Sequence, residues 1–151
     1  MDNVLSITIP GQPVPQPRQR FAAIGRMRKS YTPRGPIQHY RAAITLMTCQ
    51  AAKVTGRRDT AAFRIAIDAA FARPDSHFLK SGKLTSKAPK WPPKADVDNV
   101  AKGVMDAITD SGAVWKDDTQ VVELRVRKRY VADGSAETVI MVQEVALDAP
   151  S

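Results

Sequence analysis

Val97, Val100, Ala101, Val104, Met105 and Ile108 recur at i, i+3, i+4, i+7, i+8 and i+11. That spacing forms an unbroken apolar stripe on one side of a helix, and it constrains the fold more than any other stretch. A stripe of this kind has to be covered by another apolar layer. Asp98, Lys102 and Asp106 fall at i, i+4 and i+8 on the polar side, and Ser111-Gly112 closes the segment.

The remaining elements arrange themselves around that helix. Val4 to Ile9 alternates, with Leu5, Ile7 and Ile9 on one face and Ser6 and Thr8 on the other, which predicts a strand ended by Pro10-Gly11. From Pro10 to Pro36 the chain carries six prolines and three glycines, so this stretch holds no long helix. Ile37, Tyr40, Ile44, Met47, Ala51 and Val54 follow helical spacing and predict an amphipathic helix over 37–55, stopped by Gly56. Phe63, Ile65, Ile67, Ala69 and Phe71 alternate with Arg64, Ala66 and Asp68 in a second strand ending near Arg73-Pro74. Residues 74–95, with four prolines, read as a long irregular loop of the kind that often serves function. A strand follows over about Gln120 to Val131, Asp133-Gly134 signals a hairpin turn, and a last strand runs from about Glu137 to Val145. The expected fold is α+β: one β-α-β-α-β-β domain spanning residues 1–151, a mixed sheet covered by two helices, with long basic loops.

At 151 residues one domain can bury its own core. No apolar run approaches the ~20 residues of a membrane span. The start of the chain lacks the pattern of a secretory signal, and the single cysteine, Cys49, allows no internal disulfide. Cytoplasmic residence is the expectation. Cys49 lies on the apolar pattern of the first helix, as a small core residue does. His39 and His77 are isolated and read as surface residues; no nucleotide-binding glycine loop calls for an organic cofactor, and no zinc-ligand spacing supports other chemistry.

A net charge of +8 makes a local concentration of acid informative. Asp96 and Asp98 stand at the start of the stripe helix, with Lys102 one turn beyond Asp98, and Asp117-Asp118 begins the next strand. If the helix packs back on the sheet, that strand is expected to begin close to the helix start. A structural reading exists: Asp96 as an N-cap, Asp98 complementing the helix dipole, and Lys102 as an i, i+4 partner of Asp98 worth ~0.3–0.5 kcal/mol. A chemical reading also exists. Carboxylates that would repel one another are held together by a hard divalent cation such as Mg²⁺. Such a cation polarises a phosphodiester and generates hydroxide, while a nearby ammonium supports charge on the phosphoryl oxygens. Two aspartates where one cap suffices, together with Lys102 and the downstream pair, favour the chemical reading.

The cations surround this cluster. Arg18, Arg20, Arg26, Arg28, Lys29 and Arg34 occupy the first basic segment, which has no acid. Lys80, Lys83, Lys87, Lys90 and Lys94 face one acid, Asp75, in the long loop. Arg125, Arg127 and Arg129 alternate along a strand, projecting from one face every ~6.6 Å as a ladder suited to phosphate oxygens. Each of these also reads as a solvated surface, with Glu123 a partner for the ladder. Their joint placement around one acidic cluster points to a polyanion, with salt-sensitive binding. Trp91 reads equally as a platform for an unpaired base and as a loop anchor.

In order along the chain, Ile9-Pro10-Gly11-Gln12-Pro13-Val14-Pro15, Pro17-Arg18-Gln19-Arg20-Phe21, Tyr31-Thr32-Pro33, the set Asp96, Asp98, Asn99 and Lys102, and the set Asp117, Asp118, Gln120 and Val121 resemble the RusA-type Holliday-junction resolvases. The resemblance covers most of the chain. Gln19 and Ala95 stand where that family often has proline, and neither change removes a charge. The resemblance implies Mg²⁺-dependent cleavage, with Mn²⁺ a possible substitute, by Asp96, Asp98 and Asp117 as metal ligands and Lys102 assisting. It also implies an intertwined homodimer acting on branched DNA, the four-way junction. Arg18, Arg20, Lys94, Arg125, Arg127 and Arg129 are the expected DNA contacts. Whether Asp117 or Asp118 is the ligand stays open, since successive strand residues point to opposite faces; the spacing from the first motif favours Asp117. Two rivals remain: a non-catalytic DNA-binding architectural protein whose aspartates are caps, and a metal-dependent hydrolase of small phosphate compounds.

Overall fold

A computed structural model describes residues 3–17, 20–24, 27–31, 35–52, 56–132 and 135–147. Strand β1 (Asn3–Pro10) is followed by β2 (Arg20–Ile24), β3 (Met27–Tyr31), helix α1 (Pro36–Ala51), β4 (Ala62–Phe71), helix α2 (Val97–Ser111), β5 (Val121–Tyr130) and β6 (Glu137–Val145). One four-stranded sheet has the order β1-β6-β4-β5. β6 is antiparallel to both β1 and β4, whereas β4 and β5 are parallel, so the sheet is mixed and the fold is α+β as expected.

The alternation seen in the sequence becomes burial. Leu5, Ile7 and Ile9 of β1 are buried while Ser6 and Thr8 are exposed. Phe63, Ile65, Ile67 and Ala69 of β4 and Ile140 and Val142 of β6 face the helices and meet the stripe of α2 from Val100 to Ile108. Val97, the first residue of that stripe, remains 38% exposed, so the buried part begins one turn later. Trp115, just past α2, is fully buried, lies 5.5 Å from the Phe63 ring and donates its indole N–H to Thr109 Oγ1 at 2.8 Å. Gly112 ends α2 in the left-handed region at φ 62°, where glycine carries no Cβ penalty. Pro36 opens α1, a position where its missing N–H costs nothing.

Three expectations need correction. The proline-rich segment contains a two-stranded sheet, β2 with β3, in which Phe21 pairs with Ser30 and Ile24 with Met27. It fits into the proline-free interval between Pro17 and Pro33, whose pattern is too short and too basic to announce strands. The hairpin signalled by Asp133-Gly134 is not formed as such: β4 lies between β5 and β6 in the sheet, and the turn itself falls outside the described residues. The first helix ends at Ala51, with Ala52 as its cap, and residues 53–55 fall outside the described ones. The long loop, in turn, is less irregular than its composition suggests. It holds a 3₁₀ turn at Asp75–His77 and a bridge between Phe78 and Leu84, closed by Leu79 N–H donating to Lys83 O at 2.7 Å. No helix among the described residues is long and apolar enough to cross a membrane.

Polar contacts reinforce both faces of the sheet. Tyr40 of α1 and Thr138 of β6 share a 2.5 Å hydrogen bond in the core, and burial pushes the Tyr40 phenol up to about 12 despite that bond. On the opposite face of the sheet, Asp68 of β4 accepts from Arg127 at 2.8 Å and from Arg129 at 3.1 Å, both on β5. Partial desolvation pushes the Asp68 carboxyl up, but hydrogen bonds and charge from the two arginines outweigh it, and the group sits below the usual carboxylate range. Because its folded-state pKa is depressed, Asp68 contributes stability that is present above the ordinary Asp value of about 3.9 and is lost as pH falls through the lowered one. Thermal melts from pH 6 down to pH 2 should therefore show a steeper acid-side loss for the wild type than for Asp68→Asn. Tyr40→Phe should cost about 1–3 kcal/mol by orphaning the Thr138 hydroxyl, and adding Thr138→Val should recover part of it; strictly additive losses in urea titrations would contradict the pairing.

Candidate functional site

Because β4 and β5 are parallel, α2 runs back across the sheet between them. The start of α2 therefore sits beyond the carboxyl end of β4, and β5 begins where α2 ends. Asp117-Asp118 follows the end of α2 in the chain. The pair lies in the turn entering β5, and the charges felt at Asp118 are those of Asp106 and Lys102, halfway along α2.

At the helix start, Asp96 occupies the N-cap position with extended backbone (φ −76°, ψ 130°), yet its side chain makes no capping hydrogen bond. Asp98 is exposed in the first turn. Lys102, expected as a partner of Asp98, instead lies 3.8 Å from Asp106 Oδ2, one turn further on. Asp106 also accepts from Gln16 Nε2 at 3.0 Å. Gln16 is buried against Gly103, where an added Cβ would come within 3.4 Å of Gln16 Cβ; its backbone N–H donates to Asn99 O, and its Oε1 is buried without a partner among the described residues. The segment after β1 is thus stitched along α2, and Gln16 aims Asp106 at Lys102.

The entry to β5 is built differently. Asp117 caps the 3₁₀ turn Asp118–Gln120: it accepts from Thr119 N–H at 2.9 Å, and Gln120 Oε1 accepts from the Asp117 N–H in return. Gln120 Nε2 donates to the carbonyls of Arg58 and Ala61, anchoring this turn to the approach to β4. The backbone N–H of Thr119 holds the Asp117 carboxyl below the usual range, with a hydrogen bond from Asp118 adding to this. Desolvation, the hydrogen bond to Asp117, and the charges of Asp117 and Asp106 push the Asp118 carboxyl up, with Lys102 opposing them. Asp118 thus retains a proton more readily, at a place where a divalent cation would supply the same charge relief.

Along α2 these groups form an acidic row, Asp96, Asp98 and Asp106 with Lys102 among them, and Asp118 and Asp117 stand beside it. Among the described residues, no three Asp, Glu, His or Cys side chains lie close enough to hold a metal ion. The donors are all hard oxygens, the chemistry that suits Mg²⁺, with its preference for one or two carboxylates and several waters. In donor type the residues fit such an ion, and Asp117 and Asp118 are within hydrogen-bonding reach of each other.

The basic residues divide into two groups. Arg125, Arg127 and Arg129 share the sheet face opposite the helices, as their alternation predicts, opposite Ala66, Asp68 and Ala70. Arg127 and Arg129 are both engaged by Asp68, and Glu123, expected as a partner of the ladder, accepts instead from Arg64 of β4 at 2.8 Å. Arg125 remains exposed with no such pairing among the described residues. Lys94 is exposed two residues before Asp96, and Trp91, at 61% exposure, is no buried anchor. Arg18 falls outside the described residues; Arg20 lies in β2, and its side chain is not described. Gln16, Asp106 and Asp68 were not marked as site residues by the sequence. Of these, Asp106 carried a signal, its i+8 spacing from Asp98 on the polar side of α2.

Known proteins give two matches. A segment of 53 residues is 45% identical to a protein of Bacillus subtilis (strain 168) described as "Uncharacterized protein YqaN", covering 35% of this chain and 34% of that one. The chain thus spans about a third of the length of that relative. The family described as "Endodeoxyribonuclease RusA" matches residues 10–143, an interval that contains β1's last residue, both helices, the acidic row and most of β6. This chain belongs to the RusA endodeoxyribonuclease family.

Proposed function

We propose that this protein is a Mg²⁺-dependent, structure-selective endodeoxyribonuclease that nicks four-way DNA junctions symmetrically as a homodimer, with no organic cofactor, in the cytoplasm of a bacterium or of a phage-infected host. The observation that carries this reading is the family match, which takes in Asp96, Asp98, Asn99, Lys102, Asp117 and Asp118 in one interval.

Asp96, Asp98 and Asp117 would hold the ion. When bound, Mg²⁺ polarises the scissile phosphate and lowers the pKa of a coordinated water. Lys102 would place its ammonium against the phosphoryl oxygens, with Asp106 fixing where that ammonium sits before DNA arrives. Lys94 would contact the backbone beside it, and Arg125 would hold DNA that reaches the open face of the sheet. Recognition would rest on phosphate positions and junction shape, with little base readout. The architectural reading keeps one point in its favour, since Asp117 does act as a cap.

The test is a synthetic four-way junction incubated with protein and Mg²⁺. Wild type should yield paired nicks, and Asp98→Asn should bind the junction without cutting it. Nicking that persists in Asp98→Asn would sink the site assignment, and binding without any Mg²⁺-dependent product would establish the architectural reading. Lys102→Ala should slow nicking by roughly 100-fold or more while leaving affinity nearly unchanged.

The arginine pairing gives a separate expectation. Arg125→Ala should reduce the slope of log affinity against log salt by about 0.9, the value for one phosphate contact. Arg127→Ala should change it less, because Asp68 already engages that guanidinium. Equal losses in a salt titration followed by fluorescence anisotropy would show that the Asp68 pairing does not limit DNA contact.

A further inference from the structure

The parallel strands β4 and β5 end side by side, with Phe71 and Tyr130 as register partners. Crevices beyond the carboxyl ends of parallel strands are where open α/β sheets place their ligands. Here that crevice is a pocket of about 380 Å³, within the range of small-molecule sites. Phe71, Tyr130, Pro74, His77 and Pro92 give it flat apolar walls, and Lys94 and Ala95, the residues just ahead of Asp96, complete its rim. No carboxylate lines it among the described residues.

The pocket is held open by contacts behind its walls. Arg73 sits 4.1 Å above the Tyr130 ring and donates to Pro89 O at 2.7 Å, joining the long loop to the end of β5. His77 meets Tyr130 edge-on, with ring centroids 5.6 Å apart and planes at 90°. On the other side, the Gln12 amide accepts from Ala72 N–H at 2.8 Å and donates to Ala72 O at 3.2 Å, copying a strand partner. Walls fixed in advance reduce the ordering cost of binding.

We propose that this pocket receives one unstacked nucleobase of the DNA strand whose phosphate lies at the start of α2, an inference that rests on the nuclease reading above. The occupant has to be flat and largely apolar, attached to an anion that tolerates Lys94, and able to lie next to the acidic row. A base displaced from its stack at a branch point meets all of these conditions, whereas a paired base inside a duplex cannot enter. Stacking on aromatic and proline faces accepts any base. The Gln12 amide is already committed to Ala72, so His77 and Lys94 are the polar edges left to read, and base preference should be modest.

The test places 2-aminopurine singly at each position around the branch of a four-way junction, with Ca²⁺ in place of Mg²⁺ to suppress cutting. One position per cut strand should change fluorescence on binding. An abasic site at that position should weaken binding by roughly 5- to 150-fold, the span of one base–aromatic stack. Tyr130→Ala should cause a similar loss, and combining it with the abasic site should add little further. Ala72→Leu, which fills the pocket from its strand side, should reproduce the loss without removing an aromatic ring; thermal melts establish that both variants fold. Wild-type affinity in the folded variants, or indifference to the abasic site in a protein that still binds junctions, would overturn the pocket assignment and leave the nuclease reading standing. Failure of the wild type to bind junctions at all would overturn both.

Discussion

The parallel pairing of β4 with β5 governs the rest of this structure. A parallel neighbour requires a crossover, and here the crossover consists of the long basic loop followed by α2. That single requirement puts the first turn of α2 beyond the ends of two strands, beside a pocket. It also brings Asp118 alongside the middle of the helix, within reach of Asp106 and Lys102. β6 then closes the sheet from the other side of β4, and β1 adds outside it, so the chemistry-bearing crossover lies at the edge of the sheet away from β1.

Charge is distributed along this frame with a recognisable economy. On the helix side, acids form a row interrupted by one ammonium; beside it the Thr119 N–H pulls Asp117 down, while desolvation and neighbouring carboxylates push Asp118 up. On the open side, Asp68 absorbs two guanidiniums and Glu123 a third, leaving Arg125 exposed. A net charge of +8 therefore overstates how many cations are available to a polyanion on that face. The lysines of the loop, in no ion pair among the described residues, remain the freer source of positive charge.

The strands and helices with a buried face were legible because burial imposes its period directly. Leu5, Ile7 and Ile9, the alternation of β4, and the stripe of α2 each read correctly, and the mixed sheet with two helices followed from them. The β2–β3 pair was not legible, since its sequence shows no alternation of apolar and polar residues. The place of β6 was misread for another reason: turn chemistry at Asp133-Gly134 speaks only of local direction, while strand order is set by which apolar faces must meet. Within the site, residue types were legible and distances were not. Lys102 has acids at both i−4 and i+4, and the choice of Asp106 depends on Gln16, which arrives from 90 residues away.

The account turns on whether Asp96, Asp98 and Asp117 share one divalent ion. Anomalous scattering from crystals grown with Mn²⁺ and a four-way junction measures this directly. The account predicts a peak bound by Asp96, Asp98 and Asp117, at the roughly 2.0–2.2 Å typical of small hard cations. A peak confined to Asp106 and Asp118, or no peak in a complex whose DNA phosphate lies at the start of α2, would contradict it.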